Sequence, residues 1–370
     1  MDISREEARR WLVGATGLRA CVPETGAAGA RRVLAERRCL QLDPLDLVGT
    51  NSDLVVLARV DGLHKSEIWP ALYPGHAFEH FAKERCVLPA SAFPWYRQQL
   101  VTTPWLRLGE HLKRVPPAVL DAVHAEVAER GPLVPSDLEH HGQVDAIDWS
   151  GWKGTSKAGT MALEVLSVQC RLVVCGRGSE GKRYDVPERA LPQVAAHAPT
   201  GEFAMWALGE RVQAAGLLST AGGPHWSMLS EARKAGLAKR AVEAGEVRAL
   251  TIAGGRRTYL APLDFGERQF PEDDGRMRIL GPLDPLMWDR DLVREVFGFD
   301  YVWEVYKPKE QRRWGWYVCP LLHQGQLVGR VEARREKGAI RVDNLWKEDP
   351  ARFDDAAWAA CLERHTGLVC

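Results

Sequence analysis

No run of this sequence stays apolar for the roughly 18 residues that a bilayer-spanning helix needs. Its opening, MDISREEARRWL, lacks the apolar core of a secretory signal. Both absences lead us to expect a cytoplasmic protein with no membrane partner. Eight cysteines stand at 21, 39, 86, 170, 175, 319, 361 and 370. None form CxxC, and no His/Cys cluster has metal-ligand spacing, so neither a metal nor another cofactor is expected. The thiols read as reduced residues of a reducing compartment. Net charge is missing as well, since 49 Lys and Arg balance 49 Asp and Glu. A basic average would have pointed to nucleic acid. Balance does not exclude a local basic groove, because binding depends on where the charges sit.

What remains is an ordinary globular composition. The 370 residues are 45% hydrophobic and 26% charged, which fits several compact units and excludes a disordered or fibrous chain. Tryptophan is abundant at 14 residues. Its usual role is a large core anchor, its rarer one a platform for stacked bases. Abundant Ala, Gly and Arg are the composition of a GC-rich bacterial genome.

Periodicity organises the chain. Ala8, Trp11, Leu12 and Ala15 share one helical face, with Ser4 and Glu7 placed as a capping box. A second helix is predicted over 29–38, with Arg31, Arg32, Arg37 and Arg38 outward. Residues 64–100 read as short helices and loops, in which Glu79, His80 and Glu84 are possible acid–base groups or plain structural residues. A helix over 117–130 is followed by a short one capped by Ser136 or Asp137. A third carries Ala158, Met161, Ala162, Val165 and Leu166 inward. The tract RLVVCGRGSEGKRYDV then reads as a basic hairpin. Three helices and a basic hairpin outline a winged helix, whose third helix can enter a DNA groove while the hairpin flanks it. Lys153, Ser156, Lys157 and Thr160 on the helix suit that role, as do Arg177, Lys182 and Arg183 on the wing. The outline recurs with helices over 201–215 and 227–244 and the hairpin VRALTIAGGRRTYLAP. The first 60 residues read as a third, degraded copy.

Residues 262–287, rich in Pro, Gly and Asp, read as a linker. Beyond it, YVWEVY, WGWYVCPLL, QLVGRVEARR and AIRVDNLW have the spacing of a small β-barrel or sandwich. The turn between the first two carries Lys307, Lys309, Arg312 and Arg313, a solvated hairpin or an electrostatic arm for DNA. A final helix is predicted over 350–365. The predicted fold class is thus α+β: tandem winged-helix motifs, three in number, followed by a small C-terminal β-barrel. The boundaries are 1–105, 106–195, 196–275 and 276–370.

One short tract carries candidate chemistry. In CLQLDPLDLVG, Leu40 and Leu42 alternate with Gln41 and Asp43. In an extended segment Gln41 and Asp43 share a face, roughly 6–7 Å apart at their Cα atoms. Pro44 holds Asp43 extended. An amide beside a carboxylate can position a water and stabilise a nearby cation. A strand-end Asp can equally make a turn hydrogen bond, and pattern alone favours the turn.

Several stretches together resemble one family. They are QLD at 41–43, HAFEHFAKERCVLP at 76–89, the tract from Trp152 through KRYDVPERALP, and above all LDPLMWDRDLVREVFGFDYVWEVYKPKEQRRWGWYVCPLLHQGQLVGRVEARR at 283–335. These resemble the winged-helix DNA glycosylases of the AlkZ and YcaQ kind, the crosslink-repair glycosylases. The resemblance covers most of the chain and implies tandem winged helices plus a β-barrel around a DNA channel. It also implies a catalytic Gln–apolar–Gln or Gln–apolar–Asp motif, matched here by Gln41, Leu42 and Asp43. Asp at the third position is similar to the broad alkylpurine branch. The branch with Gln there includes self-resistance enzymes of antibiotic producers, and the resemblance leaves open either repair or self-resistance to a DNA-alkylating natural product, with bulky adducts and interstrand crosslinks in range. The implied function is monofunctional removal of cationic N7-alkylguanine, and of N3-alkyladenine, from double-stranded DNA by a monomer. Placement in wings and turns makes Lys153, Lys157, Arg183, Arg312 and Arg313 the expected DNA-binding residues. The rival reading is a non-catalytic winged-helix DNA-binding regulator.

Overall fold

The computed structural model describes residues 1–99, 114–145 and 155–370. It is α+β and divides into two compact units, Met1–Ala71 with Ala204–Cys370, and Leu72–Phe203.

In the first unit the helix Arg5–Ala15 begins with the predicted capping box, Glu7 N donating to Ser4 Oγ at 3.1 Å and Ser4 N to the Glu7 carboxylate at 2.8 Å. Its buried face joins Leu250, Ile252 and Tyr259 of one hairpin and Leu292, Val293 and Val296 of the helix Arg290–Phe297. The hairpin Arg248–Ile252 and Thr258–Ala261 forms where predicted. It is extended by a parallel strand at Asp2–Ile3 and by Leu218–Ser219, neither of which is long enough to show a period in sequence. The helix predicted over 227–244 is two helices, Ser230–Lys234 and Leu237–Glu243. They break at Gly236, whose φ of 83° lies in the left-handed region.

Arginine does much of the internal tying here. Arg37, expected on an outer face, is buried and donates to the Ala15 carbonyl at 2.6 Å. Arg59 is 1% exposed and forms two bonds to the fully buried Asp284, at 2.8 and 3.0 Å. It also donates to the carbonyls of Thr16 and Val55, both at 2.8 Å. The segment read as a linker is therefore packed structure. Besides Asp284 it buries Phe265, Met277, Ile279, Leu280 and Leu286. Phe270 lies directly over Gly14, where a Cβ would collide with its ring.

The C-terminal part holds four antiparallel strands in the order Arg278–Ile279, Val318–His323, Gln326–Glu336 and Ala339–Lys347. Among the described residues this sheet is open, and the expected closure into a barrel is not seen. The last helix, Asp355–Val369, lies against Ala339–Lys347. YVWEVY is not a strand either. Residues 301–304 are irregular and end in a turn, because the buried Glu304 carboxylate takes up the backbone N–H groups of Arg313 and Trp314, at 3.1 and 2.7 Å.

In the second unit, HAFEHFAKERCVLP is a hairpin, Ala77–Ala82 with Glu84–Pro89, where loops and helices were expected. The helices Pro117–Arg130 and Ala158–Val168 and the wing-like hairpin Val173–Gly178 with Gly181–Asp185 form as predicted. They share a core of Leu120, Val123, Val127, Ala162, Leu166 and Tyr184. The short helix expected after Ser136 is a turn. The buried Glu126 accepts from Glu139 N at 3.0 Å and pairs with His141 Nε2 at 2.9 Å, which pulls this stretch back onto the preceding helix.

Removing one member of a buried, hydrogen-bonded ion pair leaves an uncompensated charge and costs about 3–5 kcal/mol. Asp284→Ala is therefore expected to lower unfolding free energy by that amount in urea titration. A paired Arg59→Met/Asp284→Leu replacement should lose clearly less than the sum of the two single changes.

Candidate active site

Gln41 ends the short strand Leu40–Gln41, and its backbone is held firmly. The Gln41 carbonyl accepts from Asn51 Nδ2 at 2.9 Å and Ser52 Oγ at 3.3 Å. Asn51 is itself fully buried, and its Oδ1 accepts from Leu283 N at 3.1 Å. One amide side chain thus fixes the motif strand to the 281–283 segment. Asn51 starts the helix Asn51–Leu57, which carries a second capping box between Thr50 and Asp53.

Asp43 follows where the chain turns, and its Oδ1 accepts from Leu45 N at 3.0 Å. The turn hydrogen bond favoured by pattern alone is therefore present. It uses one carboxylate oxygen. Asp43 is half-buried, and burial raises its pKa above the usual carboxylate value, opposed only by the Leu45 bond. Among the described residues no lysine or arginine forms an ion pair with it. Its neighbour Asp46, by contrast, pairs with Lys65 at 2.8 Å and Arg335 at 2.7 Å. The loop after the motif is also pinned by Arg335 N on the Leu47 carbonyl at 2.8 Å and by His365 Nε2 at the Val48 carbonyl at 2.7 Å. A pinned loop therefore presents a carboxylate that no cation pairs among the described residues.

Tyr317 lies close enough to Asp43 and Asp46 to respond to their charges. Burial first, and the nearby acidic groups after it, push its phenol far up. The ring is 1% exposed, and its hydroxyl has no hydrogen-bond partner among the described residues. Sequence reasoning missed Tyr317 and Asn51. Tyr317 lies far from the motif along the chain, Asn51 only eight residues beyond it, and burial alone marks both. Among the described residues no group of His, Cys, Asp and Glu is arranged to hold a metal ion.

The expected DNA-binding residues fall in different places. Arg312 and Arg313 share the loop tied by Glu304, whose carboxyl is held down at about 2, against its burial, by Lys307 and the two amides. Arg312 Nε donates to the Lys307 carbonyl at 2.7 Å, whereas Arg313 is exposed and lies over the Trp314 ring at 4.6 Å. In the second unit, Lys157 is exposed just before the helix Ala158–Val168. Arg183 is half exposed on the hairpin with Glu180 at 3.7 Å. Lys153 lies outside the described residues.

Two wing cations are committed internally. Arg177 makes two bonds to the buried Glu79, at 2.5 and 2.9 Å, and Lys182 pairs with Glu164 at 2.7 Å. Glu79 is thus neutralised, which makes it a structural group. His80 is buried between the Val168 carbonyl and Phe81 N, and burial pushes its pKa down to about 4, so it is a neutral structural ring at physiological pH. Neither acts as the acid–base group that the sequence allowed.

The structure of the DNA glycosylase AlkZ of Streptomyces sahachiroi aligns with all of this chain and 98% of that one, with a TM-score of 0.61 and 18% sequence identity. At that identity the likeness establishes the fold. The family model of AlkZ-like DNA glycosylases matches residues 34–368, which takes in the Gln41–Asp43 motif, the Asn51 anchor and Tyr317. This coverage, over a fold of the same kind, makes the chain a member of the AlkZ-like DNA glycosylase family.

Proposed function

We propose that this glycosylase is monofunctional and hydrolyses the N-glycosidic bond of cationic N7-alkylguanine, and of N3-alkyladenine, in double-stranded DNA. The observation that carries this reading is the half-buried Asp43 carboxylate on a pinned loop, with no cation paired to it among the described residues. Alkylation at N7 places a positive charge on the base. The C1′–N9 bond then breaks with its electron pair moving to the base, which leaves neutral. The base needs no acid, and the developing positive charge sits on the sugar, as in glycoside hydrolysis generally. Asp43 stabilises that charge electrostatically and accepts the proton of the attacking water. Gln41, on the same stretch of backbone, orients the water. The product is an abasic site.

The sequence next to the motif holds no lysine, which supports a reading without a Schiff-base step. Lys65 reaches the loop after the motif, but both Asp46 oxygens hold it, at 3.0 and 2.8 Å. An amine so committed is a poor nucleophile. We read the fold as tandem winged helices acting as a monomer, with Lys153, Lys157, Arg183, Arg312 and Arg313 on phosphates. Bulky N7 adducts and interstrand crosslinks are included in the proposed range. The enzyme would then serve general repair or self-resistance to a DNA-alkylating natural product. Family membership favours this reading over the regulator.

The test is base release from duplexes carrying N7-methylguanine, or a bulky N7-guanine adduct, under single-turnover conditions. Asp43→Asn and Gln41→Ala should each slow release by about 10²–10⁴-fold. Silence of the wild type on both substrates, with DNA binding retained, would sink the proposal.

The raised pKa of Asp43 gives two further expectations. Release requires the ionised carboxylate, so kcat/KM should fall as pH drops through a value above the ordinary 3.8 of aspartate. For stability the sign is opposite. The folded protein binds this proton more tightly than the unfolded chain, so the contribution of Asp43 to stability falls as pH rises through the folded pKa. Asparagine keeps the bond to Leu45 N without the charge. Asp43→Asn should therefore leave the thermal midpoint at pH 7 unchanged or higher while abolishing activity. A drop of several degrees would instead mark Asp43 as a structural residue.

A further inference from the structure

Only four large hydrophobic side chains among the described residues are exposed, Met1, Leu263, Tyr306 and Trp316. Two of them share one loop. Tyr306 is 86% exposed, more than any of the others. Single exposed aromatics are common and need no explanation. This one differs because everything beneath it is fixed. Glu304, two residues earlier, is buried and accepts from Lys307 Nζ at 2.9 Å as well as from the Arg313 and Trp314 amides. Trp316 Nε1 donates to the Val305 carbonyl at 3.2 Å, next to Tyr306 in the chain. Trp314 is stacked on the buried Arg330 guanidinium at 4.0 Å and meets the Trp346 ring at 5.6 Å. A rigid platform thus holds a bare aromatic ring in solvent.

The surroundings define what the ring fits. Lys307, Lys309, Arg312 and Arg313 flank it. Arg313 is 68% exposed, and its guanidinium reaches Asp300 only at 3.9 Å. A ligand that offers flat aromatic faces beside a row of negative charges answers both features, and that ligand is a nucleic acid. The loop is also tied to the site. The Trp303 ring lies 5.7 Å from Tyr306 on one side and 6.5 Å from Tyr317 on the other. Tyr317 in turn is close enough to respond to the charge of Asp43. Tyr306 is thus two ring contacts from Tyr317.

We propose that Tyr306 enters the DNA base stack beside the lesion, with Arg313 and Lys309 gripping the flanking phosphates. The ring opens the stack at the step that Asp43 must reach. This rests on the glycosylase reading for its lesion, but its test has a readout independent of base release. A 2-aminopurine is placed next to N7-methylguanine in one duplex and next to guanine in another, and its fluorescence is followed as protein is added. Wild-type protein should change the fluorescence at least twofold on both duplexes. Tyr306→Ala should abolish the change and weaken Kd by about ten- to hundredfold. Tyr306→Trp should keep both, and thermal melting should show all three proteins equally folded. Fluorescence and Kd within twofold of wild type for Tyr306→Ala would overturn the proposal, leaving an aromatic suited to some other partner. If the wild type releases no base yet the Tyr306-dependent change persists, the chemistry proposed for Asp43 fails and the stacking role stands.

Discussion

The buried pair of Arg59 and Asp284 is the constraint on which the first unit depends. A guanidinium at 1% exposure is tolerable only if its donors are used, and here they are shared between a carboxylate and two helix-end carbonyls. Asp284 serves twice, since its Oδ1 also caps the turn at Leu286 N at 3.0 Å. The first helix, the helix after the motif and the 281–287 segment are thereby locked together. Asn51 works against the same segment from the motif side, because Leu283 N is its acceptor's partner. The position of Gln41 is thus a consequence of packing several residues away from any chemistry.

Around that frame the motif is held by backbone while its chemistry is left available. The Gln41 carbonyl, the Asp43 turn and the Leu47 and Val48 carbonyls are all engaged. The neighbouring Asp46 is matched to Lys65 and Arg335. Asp43 forms no ion pair among the described residues. On the proposed reading, a carboxylate left so can meet the positive charge of the transition state.

Long periodic elements were legible in the sequence. Ala8, Trp11, Leu12 and Ala15 predict the first helix, and Ala158 to Leu166 the helix before the wing, because a buried stripe at helical spacing has few other meanings. At Gln41–Asp43, pattern alone gave the turn at Asp43, which forms, while the motif itself was named only through the family resemblance. What escaped were elements made by a single buried polar group. YVWEVY has a strand's composition, but Glu304 turns it into a loop by capturing amides ten residues on. The Ser136–Asp137 stretch has a cap's composition, but Glu126 draws it into a turn. The linker reading at 262–287 failed for a related cause, since Asp284 and Arg278 look solvated in sequence and are buried by their partners.

The abundance of arginine has a different consequence for how the protein meets a polyanion. Arg177, Lys182, Arg257 and Arg276 are each already neutralised by a carboxylate of their own chain. For such a group, a DNA phosphate would displace an internal acidic partner and would not simply replace free solution anions. Affinity driven by counterion release scales with the phosphates newly neutralised. The dependence of binding on ionic strength should thus be shallower than a count of basic side chains implies, and set mainly by the more exposed cations such as Arg313 and Lys157. Discrimination between damaged and undamaged duplex would then rest less on bulk charge and more on the local contacts around the motif.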